Sequence, residues 1–137
     1  MIIASEKTIY DSSVKKYRPV WQLDTATSTV THFDETTLTV ERQTFHTDYI
    51  KDHLRFVASK YPDRLRRYVN EGTILHYLDE LEANAVDAVE SQVEKWAEND
   101  KEYQLAVLNG DILKQAGLLN NLKFRARELI YDAIIYA

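Results

Sequence analysis

The longest amphipathic run in the chain extends from Thr73 to Trp96. Its apolar residues recur every three or four positions, which places them on one face of a helix of about six turns. These residues are Ile74, Leu78, Leu81, Ala85, Val89, Val93 and Trp96. Acidic residues occupy the remaining faces, so we expect the helix to contribute both core and charged surface.

Helical patterns also precede and follow this run. Asp48 or Thr47 can cap a helix through residues 49–61, and Pro62 can start a short helix to Asn70. Gly72 then suits a left-handed helix end, and Asp111 can cap a later turn. From Gly117 or Leu118 to Tyr136 a final helix is predicted, with an apolar arc so broad that two sides should be buried. An arc of this breadth is typical of burial between other elements, or of a dimer if the fold leaves part of it uncovered. The arc consists of Leu118, Leu122, Ala126, Leu129, Ala133 and Tyr136, widened by Leu119, Ile130 and Ile134.

Residues 18–45 are rich in threonine, valine and aromatic residues and predict a small antiparallel β-meander. Trp21, Leu23, Phe33, Leu38 and Val40 are expected to line one face of it. The fold class is therefore mainly α, within α+β: an antiparallel helical bundle with a small N-terminal β-meander. A single domain over residues 1–137 is predicted, with the meander in 18–45 and the bundle in 47–137. Residues 1–17 show no clear period.

The composition removes several classes of site. The chain has no cysteine, so disulfides and thiolate metal sites are excluded. Its start lacks the apolar core of a secretory signal, and no run reaches the ~18 apolar residues of a membrane span. We therefore expect a cytoplasmic protein without a membrane partner.

Catalytic chemistry is not indicated. His46 and His53 are seven residues apart, and His76 precedes Glu80 by one turn, but no paired metal-ligand motif is present. His76 is expected at the edge of the apolar stripe with its ring half buried. With three glycines there is no phosphate-binding loop. We predict no enzyme activity, no catalytic residue, no cofactor and no metal.

Charge is distributed unevenly within a net charge of −5. Residues 78–102 contain nine acidic residues and two lysines, whereas residues 51–71 contain six basic and three acidic residues. Two candidate binding surfaces follow. The basic one comprises Arg55, Lys60, Arg64, Arg66 and Arg67, and the acidic one comprises Asp79, Glu82, Asp87, Glu90, Glu94 and Glu98. For both surfaces, the simpler interpretation is an ordinary face of charged side chains in contact with solvent.

The terminal segment GLLNNLKFRARELIYDAIIYA resembles the C-terminal signature of the TnpV family of transposon-encoded accessory proteins. The segment that begins at Arg64 is also similar to that family. It consists of a short basic helix, Gly72 and a helix that begins around Leu75, Tyr77 and Leu78. The likeness covers about residues 61–137. The positions at the end of the chain that fit the signature are Gly117, Asn120, Asn121, Ala126, Glu128, Ile134, Ile135, Tyr136 and Ala137.

The resemblance implies a transposon or phage protein with a role near excision, its control or host interaction, and it transfers no catalytic residue. Three functions are compatible with the sequence. The first is an accessory protein that binds a recombinase, another protein or DNA through the basic surface. The second is an anti-defence protein, such as an anti-CRISPR inhibitor, whose acidic helix blocks a nuclease. The third is a helical module that forms a homodimer.

Overall fold

A computed structural model describes all 137 residues and contains six strands, five α-helices and a C-terminal π-helical segment. The strands are β1 Ile2–Ala4, β2 Thr8–Asp11, β3 Lys16–Pro19, β4 Trp21–Asp24, β5 Thr29–Asp34 and β6 Thr39–Thr44. The helices are α1 Asp48–Lys60, α2 Pro62–Glu71, α3 Ile74–Asn99, α4 Lys101–Leu108 and α5 Ile112–Ile130, and the π-helical segment is Tyr131–Ile135. The α+β class predicted from the sequence is confirmed.

The chain divides into two compact units, residues 1–82 and residues 83–137. The first contains all six strands, α1, α2 and the start of α3. Its main sheet has the antiparallel order β1-β4-β5-β6, and β2 and β3 form a separate hairpin. The predicted meander is β4-β5-β6, extended by β1 through the pairing of Ile3 with Leu23. Strands of three or four residues are too short to show an alternating pattern, and for this reason the first 17 residues gave no sequence signal.

The predicted face of the sheet is wrong in part. Trp21 lies opposite His32, and Leu23 lies opposite Val30. Directly opposed residues of an antiparallel pair share a face, so these four lie on one side of the sheet, where Leu23 and Val30 are buried. Phe33 pairs with Val40 on the other side. Leu38 precedes β6 in a turn with φ of 55°, which removes it from the strand alternation.

The core of the first unit lies between this sheet and the helices. α2 contacts α1, β1 and β4. Fully buried apolar side chains come from the sheet and from the helices, and they include Leu23, Ile50, Leu54, Val57, Leu65, Val69, Ile74 and Leu78. Phe33 is also fully buried, on the other face of the sheet. This burial fixes α1 and α2 relative to the sheet, because each buried aliphatic side chain stabilises the fold by about 1.5–3 kcal/mol.

The helix boundaries follow the local signals closely. Pro62 occupies the first turn of α2, and Gly72 ends that helix with φ of 73°. The side chains of Asp100 and Asp111 accept hydrogen bonds from the backbone N–H groups of Tyr103 and Lys114, at 3.0 and 3.1 Å, which caps α4 and α5. Thr47 precedes α1, but its hydroxyl donates to Glu82 at 2.7 Å rather than capping the helix.

The second unit contains the rest of α3 with α4, α5 and the π-helical segment. The final helix begins at Ile112, earlier than predicted, because the Asp111 cap starts it and Gly117 lies in its interior. Leu122, Ala126 and Ile135 are buried, whereas Leu129, Ala133 and Tyr136 are exposed. The π-helical segment has more residues per turn than an α-helix, and this brings Ile135 rather than Ala133 to the inner side. The prediction that the helix is buried on two sides is therefore wrong.

No helix in the chain combines the length and the apolar character needed to cross a lipid bilayer.

Gly72 offers a test of how the turn between α2 and α3 fits the sheet. A Cβ atom there would lie 2.8 Å from Nε1 of Trp21, at a φ of 73° that disfavours any side chain. We expect Gly72→Ala to lower the free energy of unfolding by about 2 kcal/mol or more, measured by urea denaturation.

Gly110→Ala is the matched control. Gly110 has φ of 67°, and a Cβ atom there meets nothing within 4 Å. It should cost only the backbone term of about 1–2 kcal/mol. Equal losses in the two variants would contradict the close approach of Trp21.

Candidate functional site

A corner between α1 and α2 forms a concave surface that is lined by three cationic side chains. Tyr61 follows the last residue of α1 and precedes the first residue of α2. Its N–H donates to Val57 O at 2.7 Å, and its carbonyl accepts from Arg64 N at 3.0 Å. Pro62 follows at the first position of α2, where its missing N–H leaves no bond unmade. The chain therefore turns sharply after Lys60 and brings the end of α1 next to the first turns of α2.

An open depression of about 460 Å³ lies at this turn, lined by Lys60, Tyr61, Pro62, Asp63, Arg64 and Arg67. Lys60, Arg64 and Arg67 are referred to below as the basic corner. Arg64 and Arg67 are three residues apart, so they lie on neighbouring positions of one helix face. Three cations of the predicted basic surface thus meet around one concavity.

Aromatic rings support each cation of the basic corner. The Lys60 Nζ atom lies 5.5 Å from the centre of the Phe56 ring. The Arg64 Cζ atom lies 4.8 Å from the Tyr61 ring, and the Arg67 Cζ atom lies 5.1 Å from the Tyr68 ring. Contacts of this kind are attractive by about 0.5–1 kcal/mol at exposed sites. They orient the long basic side chains and reduce the entropy that a bound anion would otherwise have to remove.

The other two members of the predicted basic surface lie elsewhere. Arg66 forms a salt bridge with Asp63 at 2.7 Å on another side of α2. Arg55 is separated from Lys60 by ~140° around the axis of α1. Together with Lys51, it lines a different depression beside Thr25 and Ser28. It also lies 3.8 Å from Asp52. The sequence correctly marked this stretch as cationic, but only helix geometry separates its charges into two groups.

A buried polar network positions Arg64 through the hydroxyl of Tyr77. Tyr77 of α3 is hydrogen-bonded to the ring of His53, which is almost fully buried, and its hydroxyl accepts a hydrogen bond from Arg64. The ring of Tyr68 stacks on that of Tyr77 at 4.2 Å between centroids. The network therefore connects Arg64, which lines the depression, to α1 and α3. No local sequence pattern reveals this network, because His53 and Tyr77 are 24 residues apart.

Burial raises the pKa of the Tyr77 hydroxyl above its ordinary value of 10.0, and the hydrogen bond and charge of Arg64 oppose that rise in part. The neutral hydroxyl is the form that the folded protein prefers. It can take part in hydrogen bonds with both His53 and Arg64 at neutral pH.

The predicted acidic surface divides between the two units. In the first unit, Asp79 accepts a hydrogen bond from Gln43 at 3.1 Å, and Glu82 accepts one from Thr47. Both carboxylates therefore have structural partners. In the second unit Asp87, Glu90, Glu94 and Glu98 are exposed, and none of them forms a salt bridge.

The histidines are placed differently from the sequence expectation. His76 is exposed and lies 3.4 Å from Glu80, so the predicted half-buried ring is wrong. His53 is the buried one. The structure contains no group of three or more histidine, aspartate or glutamate side chains arranged to hold a metal ion.

Comparison of the chain with protein-family models, with curated proteins and with solved structures finds no match. The assignment of a function therefore depends on the geometry of the chain itself.

Tyr77→Phe tests the buried network. The variant keeps the ring but leaves His53 and Arg64 without the hydroxyl, so we expect the free energy of unfolding to fall by about 1–3 kcal/mol at pH 7. Tyr61→Phe is the control, since this hydroxyl is on a half-exposed side chain and its loss should change stability by less than ~0.5 kcal/mol.

The same variant tests the pKa of Tyr77. Because the unfolded chain loses this proton first, the wild-type protein should lose stability as the pH rises above 10.0, and Tyr77→Phe should lack that component. Tyrosinate absorbance would check this expectation. The ionisation signal of Tyr77, which the wild type has and Tyr77→Phe lacks, should develop only above pH 10.0. Absence of both effects would contradict the network.

Proposed function

We propose that this protein is a non-enzymatic accessory protein of a mobile genetic element and that it binds DNA through the basic corner. The observation that supports DNA binding most directly is the convergence of Lys60, Arg64 and Arg67 around one open depression. The resemblance of the C-terminal half to transposon-encoded accessory proteins supports the biological setting.

The chemistry of the corner suits a phosphate backbone. Guanidinium groups present N–H donors in a planar fork that matches phosphate oxygens, and lysine adds a mobile point charge. The only carboxylate that lines the depression is Asp63, and Arg66 neutralises it. Local charge at the corner is therefore positive although the whole chain carries −5.

Binding should depend steeply on salt because the contact is electrostatic. Each phosphate contact contributes a slope of about −0.9 to log K against log salt concentration on duplex DNA, and about −0.7 on single strands. We expect Lys60→Gln with Arg67→Gln to weaken binding at least tenfold at low salt and to reduce the slope by about 1.4–1.8 units. Fluorescence anisotropy with labelled duplex and single-stranded oligonucleotides measures both quantities.

Lys51→Gln with Arg55→Gln is a matched control, since it also removes one lysine and one arginine, from the other face of α1. It should leave the affinity within about twofold, because those side chains line a separate depression. Equal weakening by both pairs would contradict the assignment to the corner. Absence of DNA binding by the wild-type protein at low salt would contradict the function.

A second candidate is an anti-defence inhibitor that occupies the cationic nucleic-acid channel of a nuclease. The observation that favours it is the exposed stripe of Glu90, Glu94 and Glu98, which repeat every four residues without salt bridges. Such a row is unfavourable for the helix itself, because like charges one turn apart repel and carboxylates near a helix C-terminus oppose its dipole. A binding partner with positive charge would offset both costs.

Replacing Glu90, Glu94 and Glu98 by lysine tests the inhibition of a nuclease separately from the stability of the fold. Inhibition of an RNA-guided nuclease should be lost, while the melting temperature stays the same or rises because the repulsion is relieved. Glu6→Lys with Glu35→Lys and Glu71→Lys makes the same change in net charge at exposed positions elsewhere and should retain inhibition. A nuclease-cleavage assay with increasing protein would decide, and full activity of the stripe variant would eliminate this candidate.

A further inference from the structure

The second unit exposes large apolar side chains at the turn from α4 to α5 and along α5. Leu108, Ile112, Leu113 and Phe124 are 81%, 76%, 87% and 66% exposed. Together they present on the order of 500 Å² of apolar side chain, which is within the range of the largest apolar patch on a monomeric protein, and such patches are often functional. The patch is independent of the basic corner.

Four exposed residues of α5, among them Leu113 and Phe124 of this patch, form a line along one side of the helix. Leu113, Gly117, Asn120 and Phe124 are all exposed and follow one another at steps of four, three and four residues. At about 100° per residue they fall within an arc of ~60° on one side of the helix. Leu122 and Ala126, the buried residues of α5, lie on the opposite side. The steps are those of positions d, a, d and a of a heptad, the spacing with which two parallel helices pack side by side.

The shape of this line suits a second helix. Large side chains stand at its two ends, and small ones lie between them. A Cβ atom added at Gly117 would meet nothing within 4 Å, so the middle of the line is open to a close approach. Asn120 of each copy, opposite the same residue of the other, has an amide donor and acceptor that can pair across the seam.

The flanking charges select both the partner and its direction. Lys123 and Glu128 are five residues apart on the two edges of the line, the g and e positions. In a parallel pair of identical helices, Lys123 of each copy faces Glu128 of the other, which gives two ion pairs. An antiparallel pair centred on the line would instead bring Lys123 level with Lys114 of the second copy. Identical, complementary edges favour a second copy of this chain over a different protein.

We propose that the protein forms a parallel two-fold dimer in which α5 packs against α5 of a second copy along Leu113, Gly117, Asn120 and Phe124. The area that this line can bury is below the ~800 Å² that each partner contributes to a standard interface, so the contact is expected to be weak. The seam spans only two heptads and has a glycine at one a position, so we expect a dissociation constant on the order of 10 µM.

Sedimentation equilibrium over about 1–300 µM tests the association. Leu113→Glu with Phe124→Glu should raise the dissociation constant at least a hundredfold, because two charges on each copy would be buried in the seam. Leu105→Glu with Leu129→Glu is the matched control, since these leucines are 56% and 51% exposed and lie off the line. All substituted positions are exposed, and circular dichroism confirms that the helices are retained. A wild-type protein that stays monomeric at 300 µM would overturn the proposal.

Charge reversal and cross-linking test the direction. Glu128→Lys should weaken the dimer about fivefold or more, and adding Lys123→Glu should restore it. The chain has no cysteine, so single substitutions report on one contact. Asn120→Cys should form a disulfide between copies on mild oxidation, whereas Leu129→Cys should not. A dimer that fails to cross-link through Asn120→Cys would overturn the parallel arrangement.

Discussion

Burial of the apolar layer between the sheet and helices α1 to α3 is the interaction on which the rest of the first unit depends. Side chains from the strands and from all three helices lose essentially all contact with water there. Each such residue stabilises the fold by about 1.5–3 kcal/mol, which is large compared with the net stability of a small protein. The turn at Tyr61 is a consequence, because two helices held on one core must be joined by a sharp corner where α1 ends and α2 begins. The position of the basic corner is thus set by apolar packing.

Electrostatics in this protein are decided locally. The net charge of −5 repels a polyanion at long range, yet the depression at the corner keeps three cations whose nearest carboxylate is neutralised by Arg66. At physiological salt, the repulsion between exposed charges more than about 8 Å apart is largely screened. Contact charges therefore dominate once a phosphate reaches the corner. This is why charge totals for a stretch of sequence identified the region but did not identify its binding groups.

The helices were predictable because their signals are local. The three-to-four spacing, Pro62, Gly72, Asp100 and Asp111 all act within a few residues of one another, and the structure places helix ends at each of them. The first strands and the two faces of the sheet were not predictable in the same way. Strands this short carry no period, and which residues share a face is set by pairing across the sheet. The network of His53, Tyr77 and Arg64 is missed for the same reason, since it joins three helices.

The last helix has exposed apolar residues on a side that the predicted arc does not include. A single stripe three or four residues apart covers one side of a helix, whereas α5 has apolar residues on two. One side contains Leu122 and Ala126 and faces the interior of its unit. The other, with Leu113 and Phe124, remains in water. The arc predicted from the sequence contains neither Leu113 nor Phe124, because the helix was expected to begin only at Gly117 or Leu118 and Phe124 lies across the helix from the arc. The structure shows that the fold buries one side of α5 and leaves the other exposed to solvent.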